Sequence, residues 1–259
     1  MEINYTAVHI LGRELSFYGI MIALGVAFAL GVAFPIIKKR SVPAWDFIGM
    51  GGYTLIGAIF GAKLLFLAVT MKTIIELHIP ITAVIGGGFV FYGGVIGGVL
   101  GMFIYAKQFK MPFVDFADIA ATILPLGHAF GRVGCFLGGC CYGMPTDGAF
   151  SVVYRTTYDK NTPIDTPLFP LQLVSSAGLL VLFAIMITVF LTKPQKRWLP
   201  TSVYLILYPI GRFIIEFFRG DPERGLFLSL STAQWVSIAL LIAGIVLFVL
   251  TQRKEKKKI

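Results

Sequence analysis

Residues 17–37 read FYGIMIALGVAFALGVAFPII, 21 residues without a charged side chain, closed by Lys38, Lys39 and Arg40. A helix rises 1.5 Å per residue, so a run of this length matches the roughly 30 Å hydrocarbon core of a bilayer. Six more apolar runs lie near residues 46–69, 90–106, 113–131, 171–192, 200–218 and 231–251. Of the 259 residues 57% are hydrophobic and 14% charged, whereas a soluble domain carries roughly 25% charge. The sequence therefore predicts an all-α polytopic membrane protein, with seven spans in a single transmembrane domain over residues 1–259. A β-barrel is excluded, because its strands alternate in character and give no continuous apolar runs.

The formal charge of +9 would suit nucleic acid, but its distribution is that of a membrane topology. Lys38, Lys39 and Arg40 follow the first span, and Lys107 and Lys110 lie between the third and fourth. Lys193, Lys196 and Arg197 separate the fifth and sixth, and Arg253, Lys254, Lys256, Lys257 and Lys258 close the chain. With seven spans every cluster falls on one side, which the positive-inside rule makes cytoplasmic. The expected orientation is N-terminus out and C-terminus in. The first span has neither a basic leader nor a cleavage site, so no removable signal peptide is expected. Residues 132–170, the one sizeable polar segment, then form a small extracytoplasmic cap.

Ionisable residues inside a span carry an insertion penalty of about 2.5–3.5 kcal/mol near the bilayer centre, so each needs a reason. Lys63 sits in the second span, Arg132 ends the fourth, and the sixth reads YPIGRFIIEFFRG over residues 208–220. There Arg212, Glu216 and Arg219 are spaced four and three apart, with Tyr208 one turn before them, which puts all four on one helix face. One reading is a structural ion pair, with Arg132 extending outward to water. The other is an anion site in the outer half of the bilayer, because guanidinium grips phosphate in two-pronged geometry and stays charged when desolvated. The abundant anion at that depth is a phospholipid headgroup.

The stretch GRVGCFLGGCCYG, residues 131–143, holds all three cysteines of the chain beside Arg132. Four readings of Cys135, Cys140 and Cys141 stay open. They form apolar packing thiols, a disulfide in an oxidising exterior, or a reactive thiol activated by Arg132. The fourth, a zinc site, lacks a fourth nearby ligand, and no metal is expected. Asp115 and Asp118 open the fourth span, where acids suit a helix N-terminus. The GGG at residues 86–88 predicts a broken helix, and the glycines at 93–101 either pack helices or line a cavity.

Taken in order, FYGIMIALG, GAKLLF, GGGFVFYGGVIGG, GRVGCFLGGCCYG, PLQL and YPIGRFIIEFFR resemble prolipoprotein diacylglyceryl transferases over nearly the whole chain. The resemblance implies a multi-pass enzyme of the bacterial plasma membrane without a cofactor. It implies transfer of the diacylglyceryl group of phosphatidylglycerol to the lipobox cysteine of a lipoprotein precursor, with glycerol phosphate leaving. Arg132 and Arg212 match catalytic arginines, and Tyr18, Gly143, Tyr208, Glu216 and Arg219 match lipid-site residues. Lys63 stands where the family has arginine, Tyr92 where it has histidine, Cys135 for asparagine, and Cys140 and Ser175 for glutamates. Proton transfer would then fall to Tyr92 or to His128, which lies one turn before Arg132; the alternative for His128 is a hydrogen-bonded packing residue. A divergent paralogue with another acceptor and a non-catalytic phospholipid-binding or transport protein are the competing functions. A redox protein using the cysteines is a third.

Overall fold

The computed structural model describes every residue except 4–6, 11–12, 79, 222–224 and 257–259. Strand β1 (Glu2–Ile3) and the hairpin of β2 (Ala7–Ile10) and β3 (Arg13–Ser16) precede helix α1 (Phe17–Lys39). Helices α2 (Ala44–Glu76), α3 (Ile81–Gly86), α4 (Phe91–Gln108) and α5 (Phe113–Gly138) follow. Strands β4 (Val152–Tyr154) and β5 (Pro167–Leu168) lead to α6 (Leu171–Thr192) and α7 (Leu199–Glu216). The hairpin of β6 (Leu226–Phe227) and β7 (Leu230–Ser231) leads to α8 (Thr232–Lys256).

The protein is thus a mostly helical, multi-pass membrane protein. Among the described residues, α1, α2, α5, α6 and α8 are long and apolar enough to cross a membrane. The remaining two long helices are diluted by what makes them useful: α4 carries five glycines, and α7 carries Arg212 and Glu216. On α2 the exposed face bears Leu55, Ile56, Ile59 and Phe60, side chains that suit lipid tails rather than water.

The chain forms two compact units, Ile37–Phe116 and the combination of Met1–Ile36 with Ala117–Ile259. Within the first, α2 and α4 approach backbone to backbone. A Cβ on Gly97 would lie 2.1 Å from the Gly57 carbonyl oxygen, and one on Gly61 2.3 Å from that of Gly93. The glycines at 93, 97 and 101 are therefore a packing face. Arg40, in the sequence an element of the first basic cluster, is buried and donates from Nη1 to Asp115 Oδ1 at 3.1 Å. The helix break at the triple glycine is present, with residues 87–90 non-helical between α3 and α4.

In the second unit α1 lies against α5, where a Cβ on Gly25 would meet the Gly127 carbonyl oxygen at 2.9 Å. Ala121, Ala129, Leu179, Leu182 and Met186 make a buried core with Val203, Tyr204, Leu207 and Tyr208, so α5, α6 and α7 pack together. Asp118, an expected first-turn acid, instead reaches the start of another helix. Its carboxylate is fully buried and accepts from the Trp198 amide at 2.9 Å, the Thr201 amide at 3.1 Å and the Thr201 hydroxyl at 2.6 Å. These are amides of the first turn of α7 that have no partner within their own helix.

Helix α5 runs seven residues past the expected end at 131, to Gly138, so Arg132 and Cys135 are helical. Beyond it, β4 pairs in parallel with β1 (Glu2↔Val153) and antiparallel with β5 (Val152↔Leu168). Ile3, Phe136, Tyr142, Val152, Tyr154 and Leu168 close a separate small core. A second correction concerns Arg219. Helix α7 stops at Glu216, and Arg219 lies beyond it in a bridge with Gly143.

Candidate functional site

One cavity of about 110 Å³ opens between α5, α6 and α7, and its polar lining is His128, Arg132, Ser175, Tyr208 and Arg212. The helical period explains the grouping, since His128 and Arg132 are one turn apart on α5, as Tyr208 and Arg212 are on α7. Leu179, Leu182, Leu207 and Ile215, with Gly178 and Gly211, complete the wall. The volume lies below the 300–1,000 Å³ of pockets that enclose a drug-sized ligand, so the space suits a headgroup fragment rather than a whole lipid. The His128 and Tyr208 ring centroids are 5.7 Å apart, and Tyr208 stacks on Tyr204 at 5.2 Å. The Ser175 hydroxyl donates to the Leu171 carbonyl at 2.7 Å.

The two cavity arginines differ in their surroundings. Arg212 Nη1 lies 2.5 Å from Glu216 Oε2, and Glu216 is only 3% exposed. That carboxylate also stands 3.9 Å from Arg219. Arg219 in turn forks onto Asp221, with Nε donating to Oδ1 at 2.8 Å and Nη2 reaching Oδ2. Charges therefore alternate along Arg212, Glu216, Arg219 and Asp221, and Arg219 is committed to Asp221 more than to the cavity. Arg132, among the described residues, takes part in no hydrogen bond or ion pair.

Beyond Arg132 the chain turns out of α5 through the cysteines. The Sγ atoms of Cys135, Cys140 and Cys141 all lie within 4.8 Å of one another, and all three are free thiols. Gly139 has φ +80°, and a Cβ there would meet that of Thr157 at 2.9 Å; Cys141 adopts φ 58°. Four carbonyls at and after the helix end are held by donors from the following segment. Phe136 O accepts from Tyr154 Oη at 2.9 Å and Gly138 O from the Tyr158 amide at 3.1 Å. Gly139 O accepts from Thr162 Oγ1 at 2.7 Å and Cys140 O from Gln172 Nε2 at 2.8 Å. Hydrogen bonds from the Cys135 and Cys140 thiols, aided by Arg219 and Arg132, hold the Cys141 thiol below the ordinary range. Cys140 is pushed above it, first by its bonds with Cys135 and Cys141 and then by burial.

Gly143 accounts for how Arg219 comes to this loop. The Gly220 amide donates to Tyr142 O at 3.0 Å and the Met144 amide to Phe218 O at 3.1 Å, tying the segment after α7 to the segment after the cysteines. A Cβ at Gly143 would lie 2.7 Å from the Phe169 carbonyl oxygen. Tyr18, in the first turn of α1 and 42% exposed, packs by its ring edge against Gly134 of α5.

Lys63 and Tyr92 belong to the unit Ile37–Phe116. Lys63 has structural partners: its ammonium donates to the carbonyls of Val84, Gly87 and Gly88 and lies 4.9 Å from the Phe89 ring centroid. It holds the triple-glycine turn. Tyr92 is half-buried in the first turn of α4, edge-on to Phe91 at 5.8 Å. Sequence reasoning missed Asp221, Gln172, Tyr154 and Thr162. Only Asp221 had a local signal, two residues after Arg219.

A multi-helix membrane protein whose arginines converge on a headgroup-sized cavity is a candidate lipid-handling protein, and the comparisons narrow this. Residues 5–250 match the family model described as prolipoprotein diacylglyceryl transferase, and the chain belongs to that family. A phosphatidylglycerol–prolipoprotein diacylglyceryl transferase of Clostridium tetani is 37% identical over 243 residues, covering 92% of this chain and 94% of its own. Phosphatidylglycerol–prolipoprotein diacylglyceryl transferase 2 of Clostridium perfringens is 34% identical, covering 96% of each chain. A transferase of the same name from Cupriavidus metallidurans is 30% identical over 262 residues, covering 98% of this chain and 95% of its own.

Proposed function

We propose that this protein moves the diacylglyceryl group of phosphatidylglycerol onto the lipobox cysteine thiol of a lipoprotein precursor, at the outer half of a bacterial plasma membrane. The observation that carries the reading is the pairing of Arg132, which has no carboxylate partner among the described residues, with Arg212, held by Glu216, on one cavity. The acceptor thiol gives up its proton to the departing phosphate or to water, its sulfur attacks the glyceryl carbon, the carbon–oxygen bond to phosphate breaks, and glycerol phosphate leaves with the electron pair. Negative charge grows on the phosphate as that bond breaks. Arg132 and Arg212 meet it with charge-assisted, two-pronged hydrogen bonds already in place, which lowers the barrier electrostatically. Glu216 keeps Arg212 extended along α7, and Tyr208 and His128 supply polar contacts one turn away. Arg219 acts from behind, on Glu216, and Tyr18 and Gly143 fix the neighbouring backbone.

The placement in the outer leaflet rests on the basic clusters and on the positive-inside rule. The test is purified protein in lipid nanodiscs with labelled phosphatidylglycerol and a lipobox peptide, read by mass spectrometry. A peptide gaining one diacylglyceryl unit, with release of glycerol phosphate, is the expected result. Phosphatidylglycerol binding with no transfer to any thiol peptide would refute the enzyme reading and leave a lipid-binding protein.

A further inference from the structure

We propose that Cys135, Cys140 and Cys141 form a three-thiolate site for a zinc-class ion, whose fourth position takes the sulfur of the acceptor. The proposal rests on the transferase reading only for the identity of that acceptor. All three Sγ atoms converge within 4.8 Å. Zinc–sulfur bonds of about 2.3 Å in tetrahedral geometry need sulfurs roughly 3.8 Å apart, so no pair has to close by more than about an ångström. A disulfide would use two of these thiols and leave the convergence of the third without a reason.

The loop is fixed as a ligand-bearing loop must be. The carbonyls of residues 136, 138, 139 and 140 are each held by a donor from the segment 154–172, and the Cys140 amide is bonded to Cys135 O at 3.1 Å. Three thiolates around a divalent ion carry a net charge of −1, which arginine stabilises. Arg132 sits one turn before Cys135, and Arg219 is bridged to Gly143, two residues after Cys141. Among the described residues the group contains no fourth protein ligand. Three ligands with an open fourth position is the pattern of catalytic rather than structural zinc.

The chemistry of the open position fits a reaction that alkylates a thiol. A thiol taken up there loses its proton, because a coordinating thiol is deprotonated outright, and its sulfur stays nucleophilic. That sulfur forms the bond to the glyceryl carbon while the carbon–oxygen bond breaks toward phosphate. The displaced proton goes to the departing phosphomonoester, whose second pKa is about 6, or to water. No oxidant or reductant enters. The thioether product is a neutral, weaker ligand and leaves, so Cys135, Cys140 and Cys141 are ready for another acceptor thiol. Two of these cysteines stand where the family's asparagine and a glutamate are expected, and thiol activation by ligation would replace proton transfer by those side chains.

The experiment uses the full chain in nanodiscs, loaded with zinc or with cobalt as a spectroscopic probe. One ion per chain should survive exchange against a mild chelator, and Cys135→Ser, Cys140→Ser and Cys141→Ser should each lose it. On the cobalt protein, a lipobox peptide should strengthen the sulfur-to-cobalt charge-transfer band, and the same peptide with serine for cysteine should not. Stripping the ion from the unmutated protein should lower transfer by about 100-fold, the scale of losing activation of the reacting group, and zinc should restore it. Three freely titrating thiols with no retained ion, a disulfide found by mass, or full transfer by stripped protein would each overturn the site and leave the transferase reading standing. A peptide-dependent cobalt spectrum without any diacylglyceryl transfer would support the site and refute that reading. Because stripping and reloading use unmutated protein, a misfolded serine variant does not decide the outcome.

Discussion

Removing Arg212 should affect stability and transfer separately, and a double substitution resolves the two. Arg212, Glu216, Arg219 and Asp221 form a set with no net charge. Arg212→Gln leaves it at −1, with Glu216 only 3% exposed and its remaining cation 3.9 Å away, already committed to Asp221. Breaking a buried pair costs about 3–5 kcal/mol when the survivor is wholly uncompensated. Arg219 offsets part of that, so a loss of about 2 kcal/mol in stability is expected. Adding Glu216→Gln removes the orphaned carboxylate and should bring stability back to within about 1 kcal/mol of the parent. Transfer should not recover, because the phosphate still lacks a charged hydrogen-bonding partner worth about 1.5–3 kcal/mol per bond. Two such bonds correspond to a fall in kcat/KM of about 100-fold or more, in the single and double variants alike. Arg212→Lys keeps the charge without the fork and should lose about tenfold. Thermal unfolding in detergent and single-turnover transfer to a lipobox peptide measure the two quantities. If the double variant regains transfer along with stability, Arg212 acts only through the fold and the phosphate assignment is wrong.

Gly97→Leu should abolish folded protein, since even a Cβ there would sit 2.1 Å from the Gly57 carbonyl oxygen; a parent-like melting temperature would contradict the packing of α2 on α4. Asp118→Asn turns an amide donor toward the amides at the start of α7 and should cost about 1–3 kcal/mol. Hydrogen exchange should accelerate at Trp198 and Thr201, and unchanged protection there would remove Asp118 as the cap. Ala149→Cys, at an exposed position after the cysteine loop in a cysteine-free background, should react with a membrane-impermeant reagent on intact cells. Reaction only after lysis would reverse the orientation and move the lipid site to the inner leaflet.

The spans were legible because apolar runs long enough to cross a bilayer need no partner to be recognised. Their ends were less so. The sequence predicts an end at 131, yet α5 continues to Gly138, because glycine and cysteine weaken an apolar pattern without forbidding a helix. The grouping of Arg132 with Arg212 follows from one-turn spacing on each helix together with insertion cost, both local properties. Arg219 shows where local periodicity fails. Its spacing from Glu216 is helical, but α7 stops at Glu216, and beyond that end Asp221 holds the Arg219 side chain while Gly143 bridges its backbone. Lys63, Asp118 and Gln172 find partners 21 to 83 residues away, and no windowed pattern reports such pairs. Nor did composition suggest β1, two residues whose pairing lies on β4.

The order in which the two units can be completed follows from how the chain is divided between them. Ile37–Phe116 is continuous, whereas the other unit takes its first piece before that stretch and the rest after it. During synthesis the interlocked glycines of α2 and α4 are therefore all available before α5 emerges. Helix α1, although made first, has to wait for Gly127 and Gly134 to arrive, and β1 waits for residues 152–154. The earliest-made helix is thus among the last to be seated, and for that interval its glycine face is open to lipid or to an insertion chaperone. Slowing translation just after residue 116 should lengthen the period in which α1 is exchangeable, while a pause after residue 160 should leave it locked.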